Sequence, residues 1–200
     1  MANTDAPFGF KPFGPVLHAD YYPLVTAVGT ACYVGDLMDA VNTGLVCKAF
    51  GGDTRMSVIS DYAGAAGDQI GVCIGLLDSN GDPVNRIAAS EAGDGVVAGY
   101  ALIADDPKQL FLAQEDGDTT PIAAASIGLN LDAISTHTPS AKNNYLSKME
   151  LNSDSVNTTA TLAFRTVRSY KDDTVGSAYC RWIVIINPAA HFYSSDTAVA

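Results

Sequence analysis

The most hydrophobic stretch of the chain is YCRWIVII, residues 179–186, which ends at Asn187-Pro188. It contains Trp182, the one tryptophan of the sequence. A nearly continuous apolar run of this length is typical of a β-strand covered on both faces, because a half-exposed strand would alternate apolar and polar residues. Proline ends the run because it has no amide N–H for a β-ladder. We therefore predict that this stretch forms a strand in the middle of a sheet.

The remainder of the chain beyond residue 24 also has a β pattern. It is rich in Val, Ile, Thr and Tyr, and Gly or Asp interrupts it about every eight to twelve residues. The strongest helical signal, Ala88–Ala92, covers one or two turns at most. The sequence thus predicts an all-β fold, a compact barrel-like or sandwich body with little helix. The other predicted strands are Ala31–Val34, Leu45–Ala49, Ser57–Ile59, Ile70–Leu77, Val96–Ile103, Gln109–Gln114, Ser126–Ile134, Lys148–Leu151 and Ala160–Val167.

Two aspartate-rich segments predict turns. The first, DSNGDP at residues 78–83, begins like a calcium-binding loop, but Pro83 and Ala89 stand where an EF-hand needs glycine and glutamate. Its Asn-Gly step readily adopts positive φ, so we interpret it as a tight turn. The second, Asp105-Asp106-Pro107, separates two apolar runs and predicts a hairpin between them. A catalytic carboxylate pair is disfavoured there, because neighbours along a strand point to opposite faces.

The first 23 residues, MANTDAPFGFKPFGPVLHADYYP, differ from the rest. Four prolines remove amide donors, and Gly9 and Gly14 add flexible joints. Evenly spaced aromatic residues favour an extended arm that lies across another protein or adds to a sheet edge. We therefore divide the chain into an arm (1–23), a single β-rich body (24–193) and a flexible tail (194–200), and expect the body to fold without residues 1–17. The candidate contact residues are Pro7, Phe8, Phe10, Pro12, Phe13, Val16 and Leu17.

An alternative interpretation of the same segment is that its rings fold back onto the chain's own domain. Apolar side chains at these positions can be buried in either place, because the hydrophobic effect has no direction. In both interpretations the segment takes no part in catalysis.

Charge excludes several functions. The chain has 11 Lys and Arg against 22 Asp and Glu, a net charge of −11 and a pI near 4.4. Nucleic-acid and anionic-membrane binding both need basic patches, so neither partner is expected. The densest group of cations is Arg165, Arg168 and Lys171, with Arg181 further on. Charged residues make up 16% of the chain, below the typical value of about 25%, which indicates neutral surface suited to protein contacts.

The sequence offers no linked set of catalytic or metal-binding residues. It has no G-x-S-x-G, P-loop, dinucleotide-binding or H-E-x-x-H motif, and its four cysteines form no C-x-x-C. We expect those cysteines to be buried, reduced thiols of a protein made in the cytoplasm. His137 lies between two threonines and His18 and His191 lie near the ends, so no nucleophile or carboxylate is tied to them. We expect no enzymatic activity, cofactor, metal or small-molecule ligand.

Three short motifs resemble capsid decoration (cement) proteins of tailed bacteriophages. The start MANTDAPFGFKPFGP is similar to openings of the form M-A-N-x-x-x-P-x-G-F-x-P. Residues 104–114, ADDPKQLFLAQ, resemble their ADDP-x-Q-x-F-x-x-Q segment, and WIVIINP at 182–188 with His191 resembles their last strand.

The resemblance implies a β-tulip body, a homotrimer and a place on the outer capsid surface. It also implies binding to the major capsid protein through an N-terminal arm, which stabilises the expanded shell of the virion. Phe8, Phe10 and Phe13 would be its anchors. Alternatives are another virion component, such as a tail tube or head–tail protein, and a surface β-module that binds carbohydrate.

Overall fold

The computed structural model describes residues 3–24, 31–47, 52–58, 69–88, 98–135, 139–171 and 173–194. Within these ranges the backbone forms strands and three short 3-10 helices, with no α-helix, so the all-β prediction is confirmed. The 3-10 helices are Ala124–Ser126, Ala141–Asn143 and Ser153–Ser155. The strands are β1 Lys11–Pro12, β2 Ala19–Leu24, β3 Cys32–Tyr33, β4 Leu37–Cys47, β5 Gly52–Val58, β6 Gln69–Asp78, β7 Pro83–Val84, β8 Arg86–Ile87, β9 Gly99–Ala104, β10 Leu110–Gln114, β11 Asn130–Leu131, β12 Ala133–Ser135, β13 Met149–Leu151, β14 Phe164–Ser169 and β15 Arg181–Ile186.

The predicted central strand lies in the middle of a sheet. This five-stranded antiparallel sheet has the order β1-β10-β15-β14-β11. Trp182 and Ile183 point to opposite faces of β15, and neither has any exposed surface. Burial on both faces explains why the strand has no polar alternation.

A second sheet of six strands has the order β4-β5-β2-β9-β6-β7, and β4 also pairs with β6. Following the pairings from β4 through β5, β2, β9 and β6 therefore returns to β4. The link between β2 and β5 is parallel and consists of a single residue pair, Leu24 with Met56. The arrangement is barrel-like, but the barrel is not closed. Two small antiparallel pairs, β3-β8 and β12-β13, complete the fold.

Two groups of buried apolar side chains form the interior. One joins the sheets, because Val72 and Ala104 of the six-stranded sheet pack with residues of the five-stranded sheet such as Trp182. The other is centred on the six-stranded sheet and includes Ile70 and Ile103. Cys32, Cys73 and Cys180 are buried and free, as predicted for these three thiols.

Several sequence predictions need correction. β9 and β10 do not form the expected hairpin, because β9 pairs with β2 and β6 while β10 pairs with β1 and β15. The turn between them carries the chain from one sheet to the other. The predicted strand Ser126–Ile134 is divided into the short strands β11 and β12. Most of the predicted Ala88–Ala92 helix lies outside the described residues.

The proposed division at residue 23 also needs correction. β1 pairs with β10, and β2 pairs with β9 along all six of its residues. The N-terminal segment thus supplies an edge strand to one sheet and an inner strand to the other. Pro12 fits this arrangement, because it stands in the edge strand β1, where one amide faces away from the ladder, whereas Pro23 stands in the inner strand β2.

Candidate protein-contact surface

The beginning of the N-terminal segment is fixed to the body by two amide side chains. Gln114 accepts a hydrogen bond from the Ala6 amide at 3.0 Å and donates to the Thr4 carbonyl at 2.6 Å. The Asn3 side chain donates to the Ala178 carbonyl at 3.1 Å and accepts from the Thr174 amide at 3.2 Å. Gln114 is 3% exposed, so its hydrogen bonds are shielded from water.

The next residues enter the core. The Phe10 ring stacks on Phe164 with a centroid distance of 4.5 Å, and its amide donates to the Gly35 carbonyl at 2.8 Å. The Lys148 ammonium donates to the Pro7 carbonyl at 2.5 Å. Gly9 has a φ of 71°, and a Cβ at this position would lie 2.5 Å from the Cβ of Ser147.

These contacts correct the prediction for Phe10 and Pro7. Phe10 is 1% exposed and Pro7 is buried, so neither can anchor another protein while the body is folded. Burial of a phenylalanine ring stabilises a fold by about 2 to 3 kcal/mol, which holds the segment in place. The alternative, that the rings fold back onto the chain's own domain, describes Phe10 correctly.

The remaining candidates lie nearer the surface. Phe8 and Pro12 are partly exposed, and Lys11 lies over the Phe8 ring at 4.7 Å. The Phe13 ring contacts Tyr170 edge to face, and its amide donates to the Leu110 carbonyl at 2.7 Å. These three side chains therefore line the edge of the five-stranded sheet.

A turn at residues 14–18 is the most exposed apolar part of the segment. Val16 is 44% and Leu17 is 53% exposed. Gly14 has a φ of 87° and directs the chain away from β1. The Leu17 amide donates to the side-chain oxygen of Gln109, a residue that is 1% exposed, at 3.0 Å. The turn is thus held at its base, and its apolar side chains project into solvent.

The turn ends in a polar cluster that the sequence did not suggest. The Nδ1 atom of His18 lies 2.5 Å from Oδ1 of Asp105, and Oδ2 of Asp105 accepts a hydrogen bond from the Tyr22 hydroxyl. The Tyr22 and Tyr193 hydroxyls are 2.7 Å apart. The hydrogen bond to Asp105 and its negative charge both raise the pKa of His18 above 6.5.

His191 lies behind this cluster and has no exposed surface. Its Nδ1 accepts a hydrogen bond from the Tyr193 amide at 3.1 Å, which places the ring proton on Nε2. Burial lowers the pKa of His191 to about 4, although Asp105 and Asp106 oppose this change. The imidazole is therefore neutral at physiological pH and acts as a structural residue.

The two neighbouring aspartates have different roles. Asp106 forms the predicted turn, because its side chain accepts from the Lys108 amide at 2.7 Å and its carbonyl from the Gln109 amide at 2.9 Å. Asp105 is 2% exposed and points the other way, toward His18. Neighbouring positions thus point in opposite directions, as expected from the sequence. No local motif in the sequence links Asp105 to His18 or Tyr22, which lie 87 and 83 positions away.

Two buried carboxyl groups lie elsewhere in the body. Burial raises the pKa of Asp36 to about 7, and its Oδ2 accepts from the Tyr33 amide at 2.9 Å. Burial also raises the pKa of Glu115 to about 7, while the Ile122 and Cys180 amides donate to its two oxygens at 2.8 and 3.3 Å. Each group has backbone donors, so both have a structural explanation.

The described residues contain no group of three or more His, Cys, Asp or Glu side chains that could hold a metal ion. His137 lies outside the described residues. Among the helices that the structure describes, none has the length and apolar character needed to cross a membrane.

Comparison with protein-family models, with curated proteins and with solved structures finds no match for this chain.

Proposed function

We propose that this chain is a structural protein that binds the surface of another protein. The observation that carries this role is the turn at residues 14–18, where Val16 and Leu17 are about half exposed on a base fixed by Gln109 and Asp105. A rigid loop loses less conformational entropy on binding than a free arm does. Exposed apolar side chains on a fixed base are therefore suited to contact with a protein.

The proposed partner is the major capsid protein of a tailed phage, and the proposed role is decoration and stabilisation of the expanded shell. The capsid assignment comes from the resemblance of residues 1–15, 104–114 and 182–188 to decoration proteins. In this proposal the chain acts as a homotrimer on the outer capsid surface. Three linked contacts raise the effective concentration of each further contact and slow release.

A matched pair of variants tests the contact site. Leu17 is 53% and Ile127 is 52% exposed, and they lie beyond opposite edges of the five-stranded sheet, near β1 and β11. We expect Leu17→Ser to weaken retention on purified capsids that lack their decoration protein, and Ile127→Ser to leave it unchanged. Thermal unfolding of both variants checks that the body is intact.

The outcomes test separately whether the protein binds capsids and whether the turn at residues 14–18 is the contact site. Wild-type protein that does not sediment with the capsids would contradict the capsid assignment. If wild type binds and both variants are retained equally, the partner is contacted elsewhere and the turn is not the site.

A further inference from the structure

Cations collect on one face of the five-stranded sheet. Directly opposed residues of neighbouring antiparallel strands share a face. Lys11 on β1 is opposite Leu112 on β10, which is opposite Ile183 on β15, which is opposite Arg168 on β14. The adjacent row places Leu110, Ile185 and Arg165 side by side on the same face.

Aromatic rings hold several of these cations. Arg168 lies over the Phe13 ring at 5.5 Å, and Lys171 and Arg181 each lie 4.9 Å from the centre of the Tyr170 ring. A cation above an aromatic face is attracted by the ring's quadrupole, which limits its freedom. We name this surface the basic face and define it by five residues: Lys11, Arg165, Arg168, Lys171 and Arg181.

The basic face differs in charge from the protein as a whole. It holds five of the 11 Lys and Arg residues of a chain whose net charge is −11. Asp173 neutralises Arg181 through two hydrogen bonds at 2.8 and 2.6 Å. Four positive charges remain, and they lie around the half-buried Leu110, Leu112 and Ile185.

The cations differ in their freedom to bind a partner. Arg165 donates to the side chains of Asn130 and Asn187 at 3.0 and 3.3 Å, so it serves the fold. Lys11, Arg168 and Lys171 are exposed. A cation–π contact uses the face of a guanidinium and leaves the N–H groups at its edge for carboxylate oxygens.

From this arrangement we propose that the basic face binds a carboxylate-rich protein surface, with apolar contact through Leu110 and Leu112. The inference rests on the proposed protein-binding role and names the chemistry of the partner. Ordered cations beside partly buried apolar side chains match an acidic protein surface in both charge and polarity. Nucleic acid fits less well, because its affinity comes from neutralising many closely spaced phosphates, whereas this face offers four positive charges around apolar side chains.

The test uses fluorescein-labelled poly-L-glutamate as the probe, with a single-stranded oligonucleotide of equal charge for comparison. Arg168→Gln/Lys171→Gln removes one exposed arginine and one exposed lysine from the basic face. Arg86→Gln/Lys142→Gln makes the same change in charge at exposed positions elsewhere. Anisotropy is measured at about 50 mM and about 300 mM NaCl, because screening weakens exposed charge pairs.

We expect wild type to bind poly-L-glutamate at low salt and to lose most of that binding at high salt. Arg168→Gln/Lys171→Gln should bind about tenfold more weakly, because two charge-assisted contacts are lost, while Arg86→Gln/Lys142→Gln keeps wild-type affinity. Equal loss in both variants, or no binding by wild type, would overturn the inference. Stronger binding to the oligonucleotide would assign the face to nucleic acid instead.

This assay needs no capsid, so it separates the two proposals. Failure here together with normal capsid retention overturns only the acidic-partner inference. Binding of poly-L-glutamate without capsid retention overturns only the capsid assignment. Analytical ultracentrifugation of wild type and of Arg168→Gln/Lys171→Gln, at both salt concentrations, shows whether the face instead binds the acidic surface of a second copy. Self-association that is lost both at high salt and in this variant would contradict an external partner.

Discussion

The Nδ1 atom of His18 lies 2.5 Å from Oδ1 of Asp105, and the two side chains differ greatly in exposure, at 62% and 2%. An exposed histidine thus covers a buried carboxylate at the end of the turn that carries Val16 and Leu17. This pair joins the N-terminal segment to the connection between the two sheets. Its strength depends on the protonation of His18, because neutral imidazole does not compensate a buried negative charge.

The first prediction concerns the pH dependence of this pair. The pKa of His18 in the folded protein is raised above 6.5, so its contribution to stability is fully present below pH 6.5. That contribution is lost as pH rises through the raised value. We expect His18→Gln to lower the thermal unfolding temperature in acid and to have progressively less effect as the solution becomes alkaline. A difference that grows with pH would contradict the pairing.

A second prediction is that the pKa values of the two described histidines are shifted in opposite directions from the ordinary value of 6.5. Nuclear magnetic resonance of the imidazole C–H signals should show His18 titrating above 6.5 and His191 near 4. The neutral form of His191 is favoured by burial, so its contribution to stability is present above pH 6.5 and lost as pH falls toward 4. Replacement of each histidine by glutamine assigns the signals. Two signals that titrate together would contradict the assigned environments.

Prediction from sequence worked where one local pattern determined the outcome. Residues 179–186 were expected to be a central strand, and β15 is central, with Trp182 and Ile183 buried on its two faces. The hairpin around Asp105 failed, because a turn motif shows that the chain reverses but does not show which strands pair. The prediction that Phe10 anchors a partner was wrong for a related reason. An apolar residue in the sequence does not show whether it is buried in its own protein or in an interface with another.

The polar cluster was beyond sequence prediction for a geometric reason. His18 and Asp105 are separated by 87 positions in the chain, and Tyr22 and Tyr193 by 171. The pairing of β2 with β9 brings the first two together, because Ala19 stands opposite Ala104. Such a register is fixed by the packing of whole sheets rather than by any local motif.

A third prediction concerns Asp36, whose pKa burial raises from 3.8 to about 7. The folded state favours the protonated form of Asp36, and the resulting contribution to the free energy of unfolding is fully present below pH 3.8. As pH rises to about 7, this contribution is lost, and the free energy of unfolding falls by about 4 kcal/mol. Asp36→Asn removes this loss and retains an oxygen that can accept from the Tyr33 amide. We expect the variant to match wild type near pH 4 and to be more stable above pH 7. Urea unfolding at both pH values measures the difference, and lower stability above pH 7 would contradict it.

A fourth prediction uses Glu115 as a contrast. Both of its oxygens accept backbone hydrogen bonds, from Ile122 and Cys180, so one acceptor becomes a donor in Glu115→Gln. An amide N–H that faces an NH2 group in a buried site costs about 1 to 3 kcal/mol. We expect Glu115→Gln to be destabilised near pH 5, where the pKa of about 7 keeps the wild-type carboxyl protonated. Asp36→Asn is the matched control, and similar stabilities for the two variants at that pH would contradict the hydrogen-bond assignment.

A fifth prediction asks whether the N-terminal segment is docked in solution. Gly9 and Gly14 both have positive φ, at 71° and 87°, so alanine causes backbone strain of about 1 to 2 kcal/mol at either position. Only at Gly9 would the new Cβ collide with the body, 2.5 Å from the Cβ of Ser147 and 2.7 Å from the Gly35 carbonyl, whereas no atom lies within 4 Å at Gly14.

If residues 3–13 are packed as described, Gly9→Ala should lower the free energy of unfolding by more than about 2 kcal/mol, because neither Ser147 nor the Gly35 backbone can move without disturbing Phe10. Gly14→Ala should cost about 1 kcal/mol, from φ alone. Chemical denaturation of the two variants and wild type gives both values. An arm that orders only on binding its partner would leave both variants as stable as wild type, so equal stabilities would restore the free-arm interpretation and return Phe10 to the set of partner contacts.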